Sequence, residues 1–210
     1  MEYKIIGSGS DGNSVFLFDR VLVDIGVPFA KIRDIYRKIQ VVTFSHTHGD
    51  HLNMATLQKL ISLRPGLRIA VGEHLEEQAI RSGCKNIDIL NPNIFYSYGD
   101  FQMSIFKTYH DVPSNGYRFI YQDKKVFFVT DTKTLEGLTA KEYSHFFIEM
   151  NYDEETVWDI IREKEANGLY AHQRGSINSH LSRQQAQEFF FANRRLDSVL
   201  IPLHESKELY

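Results

Sequence analysis

The chain has 210 residues, of which 42% are hydrophobic and 24% charged, and this balance predicts one globular domain over residues 1–210 rather than a disordered chain. With 24 Lys and Arg against 27 Asp and Glu, the formal charge of −3 argues against a protein that coats nucleic acid through a general basic excess. There is no apolar run of ~20 residues, no secretory leader and no second cysteine to pair with Cys84, so we expect a cytoplasmic protein without a membrane partner.

Short strands and helices alternate along the chain. Strands are predicted at residues 3–7, 14–18, 21–24, 41–44, 67–72, 87–90, 94–98, 101–108, 117–121, 125–130, 146–149 and 199–202. Helices are predicted at 30–39, 54–63, 73–82, 153–165 with Asp153 as its cap, and 182–194, which Ser182 and Gln185 open as a capping box. Two mixed sheets that face each other, with helices outside, would satisfy this order.

The densest group of chemically active residues is His46-Thr47-His48-Gly49-Asp50-His51, directly after a predicted buried strand. Imidazoles and carboxylates are the usual ligands of zinc, manganese and iron. On an irregular loop, His46 and His48 can point to one position while Asp50 and His51 point to an adjacent one. We expect Gly49 to let the backbone turn there without a Cβ clash.

Three further ligand-type residues follow the carboxyl ends of predicted strands, where a rigid scaffold commonly holds functional loops. They are His110 after residues 101–108, Asp131 after the apolar run 126–129, and His204 after residues 199–202. Each one alone is as well explained as a surface or capping residue. Their repeated placement, together with the first motif, predicts a shared metal centre.

This pattern of His-x-His-x-Asp-His followed by a lone His, a lone Asp and a final His resembles the metallo-β-lactamase superfamily. The turn at residues 7–14, Gly-Ser-Gly-Ser-Asp-Gly-Asn-Ser, is similar to the opening of its bacterial exonuclease-like branch, found beside a cell-wall two-component system. Residues 110–113, 130–132, 149–153 and 179–182 resemble further motifs of that branch.

The resemblance implies an α+β fold, the four-layer αββα sandwich, and two divalent metal ions, zinc or manganese, with iron as an alternative. It assigns His46, His48 and His110 to the first ion. It assigns Asp50, His51 and His204 to the second, and Asp131 as a bridge between both.

Two such cations can share a water, so the expected nucleophile is a metal-bridging hydroxide. Asp50 is a secondary candidate for handling its proton, and Asp24 could orient a ligand histidine by accepting its second N–H. His180 precedes the helix that Ser182 opens, a position that favours an anion. It is the candidate to bind a phosphate or protonate a leaving group, although a solvent-facing loop histidine is the alternative.

Other residues are weaker candidates. His74, His145 and His172 are interpreted as structural or surface residues, and Cys84 as a buried small residue. Residues 189–191, Phe-Phe-Phe, fit a helix face in the core better than a base-stacking platform. Four arginines in the last forty residues of the chain, here called the late arginines, could form either a phosphate-binding rim or a solvated face: Arg174, Arg183, Arg194 and Arg195.

The leading hypothesis is therefore a phosphodiesterase that acts on DNA, RNA or a nucleotide. The same metals would also serve the hydrolysis of an ester, thioester or lactam. A third alternative is a binding protein rather than an enzyme, namely a noncatalytic metal-binding module. The retention of all seven presumed ligands argues against this alternative. A diiron oxidoreductase would need a flavin partner domain for which 210 residues leave no room. Homo-oligomerisation is left open.

Overall fold

The protein is described by a computed structural model that covers residues 1–171 and 173–205, so His172 lies outside the described residues. The chain divides into two compact units, Met1–Phe106 and a second unit from Lys107 onward. Within the described ranges, no helix combines the length and the apolar character that crossing a bilayer would require.

The strands of the first unit are β1 (Tyr3–Gly7), β2 (Ser14–Leu17), β3 (Val21–Val23), β4 (Val41–Thr43), β5 (Arg68–Gly72), β6 (Asn86–Leu90) and β7 (Tyr96–Tyr98). Its helices are α1 (Phe29–Ile32), α2 (Met54–Leu63) and α3 (Glu76–Arg81), with a 3-10 turn at Glu73–Leu75. Strand β8 (Phe101–Thr108) crosses the boundary. The second unit continues with β9 (Ser114–Tyr121), β10 (Lys124–Val129), β11 (Tyr143–Glu149), α4 (Val157–Ala166), α5 (Gln173–Ser179), α6 (Arg183–Asn193) and β12 (Arg194–Leu203).

The first sheet has the order β1-β2-β3-β4-β5-β6. Its first three strands form an antiparallel meander, and β3 to β6 are parallel. Parallel neighbours need crossover connections, and α1, α2 and α3 lie in these three crossovers. Because β3 and β4 run in register, with Val23 opposite Thr43, the residues that follow them meet at one edge.

The second sheet is also mixed, with the order β12-β11-β10-β9-β8-β7. Strands β10, β11 and β12 are parallel, and their registers place Val129 opposite Ile148 and Glu149 opposite Leu203. The carboxyl ends of these strands are therefore aligned, so the residues at and just beyond them gather at one edge. The sequence predicted two mixed sheets with helices, and these are confirmed.

Aromatic packing holds the second unit together. Phe127 of β10 stacks on Phe189 of α6 with ring centroids 5.1 Å apart, and Phe146 of β11 meets Phe190 at 5.2 Å. On the opposite face of the sheet, Phe128 stacks on Phe147. Both faces of β10 and β11 are buried toward their carboxyl ends, which explains the continuous apolar runs of these two strands, whereas the edge strand β12 is largely exposed. The core interpretation of Phe189 and Phe190 is confirmed, whereas the neighbouring Phe191 is exposed.

Two helix predictions need correction. The helix predicted at residues 30–39 is α-helical only over Phe29–Ile32 and continues as turns, yet Ile32, Ile35 and Ile39 are all buried, which preserves the apolar spacing. Asp153 does not cap α4, which begins only at Val157 after Thr156. The Asp153 carboxylate instead accepts from the backbone N–H of Glu155 and from Gln184 of α6.

The capping box of α6 is confirmed. Ser182 Oγ accepts from the Gln185 N–H at 3.0 Å, and Gln185 Oε1 accepts from the Ser182 N–H at 2.9 Å. We expect Ser182→Ala to lower the free energy of unfolding by about 1 kcal/mol, since an amide of the first turn loses its acceptor. Thr156→Ala is the control, because Thr156 is the N-cap of α4 but makes no side-chain cap bond. Urea denaturation compares the two, and equal losses would contradict the prediction.

Candidate metal centre

In the first unit, the histidine-rich loop packs its imidazoles against one another between β4 and α2. The His46 Nε2 atom lies 3.1 Å from His48 Nδ1, and the His46 and His51 ring centroids are 4.2 Å apart. Asp50 adds a carboxylate oxygen 3.5 Å from His51 Nε2. His46 and His51 are fully buried. The four residues singled out by the sequence motif are therefore close together.

Asp24 organises this loop from the end of β3. Its backbone is left-handed, with φ +58°, and its buried carboxylate accepts from the Ser45 N–H at 2.7 Å and the Ser45 hydroxyl at 3.0 Å. It also accepts from His51 Nδ1 at 2.8 Å. A proton on Nδ1 leaves the Nε2 lone pair of His51 available to a cation. The predicted hydrogen bond between Asp24 and a histidine of the loop is present, and the role of His51 as a metal ligand stays a prediction.

Asn13, from the turn between β1 and β2, also reaches this group. Its backbone N–H donates to the Asp50 carbonyl at 2.6 Å, and its side-chain Oδ1 accepts from Gly9 at 2.8 Å. The amide Nδ2 then points at His51 Nε2, 2.8 Å away, and at Asp50 Oδ2, 3.2 Å away. The glycine-rich turn therefore holds an amide donor against two of the presumed ligands.

The backbone needs a glycine at Gly26. It does not need one at Gly49, where we expected from the sequence that a Cβ would clash. A Cβ at Gly26 would lie 1.7 Å from the Asp50 carbonyl oxygen, because the chain after β3 passes directly against the ligand loop. Ile25 and Leu52 form a bridge at the same point. A Cβ at Gly49 would meet nothing within 4 Å, and Gly49 does not adopt a positive φ.

The second unit carries its own group of ligand-type residues at the aligned strand ends. Asp131 follows β10, Glu149 ends β11, and His204 follows β12. Together with His180, each offers one ligand atom, and these atoms all lie within 4.8 Å of one another. Asp131 and His204 have left-handed backbones, with φ +50° and +52°, which Asp and His tolerate better than most residues.

His110 belongs to the same unit and lies beside this group. Its Nδ1–H donates to the Ser179 carbonyl at 3.1 Å, so that in the neutral imidazole the lone pair is on Nε2. His110 Nε2 lies 3.6 Å from an Asp131 carboxylate oxygen and 3.0 Å from one of Asp111. The contact with Ser179 thus favours the neutral tautomer in which the nitrogen beside Asp131 can bind a cation.

His180 is not a solvent-facing loop residue. Its side chain is only 14% exposed, and its ring stacks on His204 with centroids 5.1 Å apart and an interplanar angle of 12°. The His180 Nδ1–H donates to Glu149 Oε2 at 2.8 Å, and Glu149 Oε1 accepts from the Thr132 N–H. A fully buried carboxylate therefore fixes the imidazole orientation.

Asn151 performs a similar task for His204. Its side-chain amide lies 2.9 Å from His204 Nδ1, and within the described ranges the buried Asn151 Oδ1 makes no hydrogen bond. The same Asn151 amide nitrogen also donates to the His204 carbonyl at 3.3 Å, so Asn151 holds both the ring and the backbone of His204 in place.

The late arginines are engaged locally. Arg174 forms two hydrogen bonds with Glu165, Arg183 pairs with Asp153, and Arg195 pairs with Asp197 at 2.7 Å. Arg194 lies over Phe191, 5.0 Å from the ring centroid. Three of the four thus have a carboxylate partner, which favours the solvated-face interpretation over a phosphate-binding rim.

The chemistry of these two groups suits divalent cations. Asp131 and Glu149 are nearly or fully buried, and the ion-pair partners described for them are histidines. Burial of carboxylates is costly unless a cation or several donors balance their charge. Imidazole nitrogens and carboxylate oxygens are also the donor set that zinc and manganese accept.

The sequence did not single out Asn13, Ser45 or Glu149 as members of these groups. Glu149 could have been found by the rule that located Asp131 and His204, because it too stands at the carboxyl end of a strand. Asn13 carries a weaker signal, its position in the Gly-Ser-Gly-Ser-Asp-Gly-Asn-Ser turn.

Comparison with known proteins adds two findings from sequence. The model of a family described as the beta-lactamase superfamily domain matches residues 19–198. The chain is also 26% identical over 174 residues to exodeoxyribonuclease WalJ of Streptococcus pneumoniae, in strains D39 and R6. This alignment covers 73% of the chain but 64% of WalJ, so the chain spans less than two thirds of these curated relatives. The family match and this similarity confirm the resemblance seen in the motifs.

Solved structures share the fold. The metallo-beta-lactamase fold protein YhfI of Bacillus subtilis matches 97% of the chain and 85% of its own length, with a TM-score of 0.74 and 17% identity. The short form of human tRNase Z matches 99% of the chain and 94% of its own length, with a TM-score of 0.70 and 16% identity. The predicted fold class, the metallo-β-lactamase sandwich, is therefore confirmed.

The close approach at Gly26 gives a test of how the ligand loop is held. We expect Gly26→Ala to lower the free energy of unfolding by about 3 kcal/mol or more, because its Cβ overlaps the Asp50 carbonyl and the backbone must shift. Gly49→Ala is the matched control and should change it by less than about 0.5 kcal/mol. Urea denaturation measures both, and a tolerated alanine at position 26 would refute the stated packing.

Proposed function

Because the chain belongs to the beta-lactamase superfamily domain family, we propose that it is a hydrolase that uses two divalent metal ions to cleave phosphodiester bonds of a nucleic acid or a nucleotide. The observation that carries the proposal is the group at the aligned ends of β10, β11 and β12, where Asp131, Glu149, His180 and His204 bring ligand atoms within 4.8 Å of one another. Each parallel strand contributes one of its members, which is how this scaffold would assemble a reactive site.

The ligand assignment follows the family resemblance. His46, His48 and His110 would hold one ion, and Asp50, His51 and His204 the other, with Asp131 shared between them. The hydrogen bonds are compatible with metal binding by two of these residues: His51 and His110 each use Nδ1 as a donor within the protein, which in the neutral imidazole leaves a lone pair on Nε2. Zinc and manganese are the metals we propose, with iron as an alternative, since all three accept this donor set.

When bound, the ions supply a water of lowered pKa and neutralise charge on the attacked phosphoryl group. The protein's own part is to orient the ligands and to manage protons. His180 is the residue we assign to the leaving group: Glu149 holds its Nδ1, so that Nε2 is the nitrogen available to carry a proton. Asp50 is a second candidate to accept a proton, since its carboxylate is partly accessible beside His51.

Phosphodiesters are the preferred substrate class for two reasons. The similar proteins include an exodeoxyribonuclease and a tRNase, whose names indicate nucleic-acid substrates. A nearly buried histidine held by a buried carboxylate also suits protonation of an alkoxide leaving group, which phosphodiester cleavage requires and which activated esters need much less.

The substrate class is tested by assaying the protein with a phosphodiester reporter, a carboxylic ester, a thioester and a lactam, each with added manganese or zinc. We expect metal-dependent turnover of the phosphodiester and loss of that turnover with a chelator. Turnover confined to the ester, thioester or lactam would overturn the proposed substrate. Metal binding without turnover of any reporter would favour a noncatalytic module.

His204→Ala tests the second metal position. We expect the variant to bind about one ion fewer per chain and to lose nearly all turnover, because a direct ligand is removed. His145→Ala is a control on the strand next to β12 and should retain both the metal content and the activity. Elemental analysis after dialysis measures the stoichiometry, and an unchanged metal content in the His204 variant would exclude it as a ligand.

His180→Ala tests the leaving-group assignment. We expect normal metal content and a fall in kcat of roughly 10²–10⁴-fold on an oligonucleotide, the usual contribution of a general acid. The loss should be much smaller for a nitrophenyl phosphodiester, whose leaving group needs no proton. Glu149→Gln should weaken the same step and shift the pH profile of kcat. Equal losses on both substrates would argue that His180 does not protonate the leaving group.

A further inference from the structure

The first unit carries a concentration of positive charge in the segment that contains α1 and α2. Residues 28–68 contain seven Lys and Arg against two acidic residues, Asp34 and Asp50, a net charge of +5. The whole chain has a net charge of −3, so the remaining residues carry −8. Helix α2 has no acidic residue. This charge separation is not used by the proposed metal centre.

The cations of this region are arranged around two half-buried aromatic rings. Phe29 and Tyr36 pack on the core with ring centroids 5.7 Å apart. Lys59 Nζ lies 5.0 Å from the centroid of Phe29, and the Arg37 guanidinium carbon lies 5.7 Å from that of Tyr36. Arg64 donates to the Tyr36 carbonyl at 2.9 Å and to the carbonyl of Arg37. The positive charges therefore form one connected surface.

Most of these cations lack a carboxylate partner. Lys38 pairs with Asp19 and Arg68 pairs with Asp88, both at 2.7 Å, so the charges of these two residues are offset locally. In the described part of the chain, no carboxylate lies within ion-pair distance of Lys31, Arg33 or Lys59, all of which are exposed. This distinguishes them from Arg174, Arg183 and Arg195, whose charges are offset by neighbouring carboxylates. Unpaired cations held beside aromatic rings are the features of surfaces that follow a nucleic-acid backbone.

The surface begins beside the ligand loop of the same unit. Helix α2 starts at Met54, three residues after His51, and Asn53 caps it by accepting from the Thr56 N–H. Lys59 lies about 8 Å further along the helix axis, at 1.5 Å of rise per residue. Helix α1 starts three residues after Gly26, which packs against Asp50. A nucleic-acid strand with one phosphate at this loop can therefore place its next phosphates beside the cations of α1 and α2.

We propose that Lys31, Arg33, Arg37, Lys59 and Arg64, together with Phe29 and Tyr36, form a basic helical surface that docks the backbone of a single-stranded nucleic acid. The proposal rests on the proposed function, of which it specifies the substrate as a chain longer than a nucleotide. The overall negative charge limits coating at other faces, so the contact would be confined to this surface. The aromatic rings contribute partly exposed edges that a base can cover.

The test compares two triple charge reversals with the same total charge. Lys31→Glu, Arg33→Glu and Lys59→Glu alter the basic helical surface, while Lys85→Glu, Lys107→Glu and Lys125→Glu reverse exposed lysines outside it. Binding is measured by fluorescence anisotropy with the protein as purified and a labelled phosphorothioate oligothymidylate of about 20 nucleotides. Circular dichroism confirms that both variants are folded. Salt is varied from about 50 to 200 mM.

We expect the surface variant to bind at least about 10-fold more weakly than the wild type, and the control variant less than about 2-fold more weakly. The slope of log Kd against log salt should fall by about 2 in the surface variant, since each single-strand phosphate contact contributes about 0.7. Equal weakening in both variants would mean that only net charge matters, and it would overturn the proposal.

A second readout separates this proposal from the proposed function. The surface variant should hydrolyse a small phosphodiester reporter at the wild-type rate while cleaving an oligonucleotide more slowly. If the wild type hydrolyses no phosphodiester, the proposed function fails, but the binding comparison still stands on its own. If the surface variant loses binding to vesicles that contain phosphatidylserine and keeps its affinity for the oligonucleotide, the surface faces a membrane and the docking proposal is wrong.

Discussion

The candidate metal centre depends on carboxylates that are buried at the ends of parallel strands. Asp24, Asp131 and Glu149 each lie at or just after such an end, and each is almost completely removed from water. A buried carboxylate persists only when donors or cations balance it. Asp24 is balanced within its own unit by Ser45 and His51. Glu149 is balanced by the Thr132 N–H and by His180, and Asp131 lies beside His110 and His204, a donor set that suits a divalent cation.

The fold produces this arrangement through register. Parallel neighbours with aligned ends place the residues that follow them side by side, whatever their separation in the chain. Left-handed backbones at Asp24, Asp131 and His204 then turn the chain sharply at these ends, and Asp and His accept that conformation at modest cost. Gly26 has a different task, since it lets the chain pass against the Asp50 carbonyl without a side chain.

The distribution of charge along the chain bears on how the protein would bind a nucleic-acid substrate. The net negative charge of the chain disfavours nonspecific binding to polyanions. The segment at residues 28–68, with a net charge of +5, can still attract a polyanion locally. Several cations of the second unit, such as Arg174 with Glu165, are offset by local ion pairs. In the first unit, Lys31, Arg33 and Lys59 have no carboxylate within ion-pair distance among the described residues, and they lie in or directly after α1 and α2.

The sequence by itself determined the features that local chemistry encodes: the histidine-rich loop, the ligand-type residues after apolar strands, helix α2 with its bounds, and the capping box at Ser182. Tertiary structure alone decided which side chains meet. The Glu149–His180 pair, the amide of Asn13 at His51 and the close approach at Gly26 join residues 24 to 38 positions apart, and no local pattern records such contacts. For the same reason the helix predicted at residues 30–39 was too long. The spacing of apolar residues in this segment predicts which residues are buried. It does not predict whether the backbone is a helix or a series of turns, because packing against the core decides that.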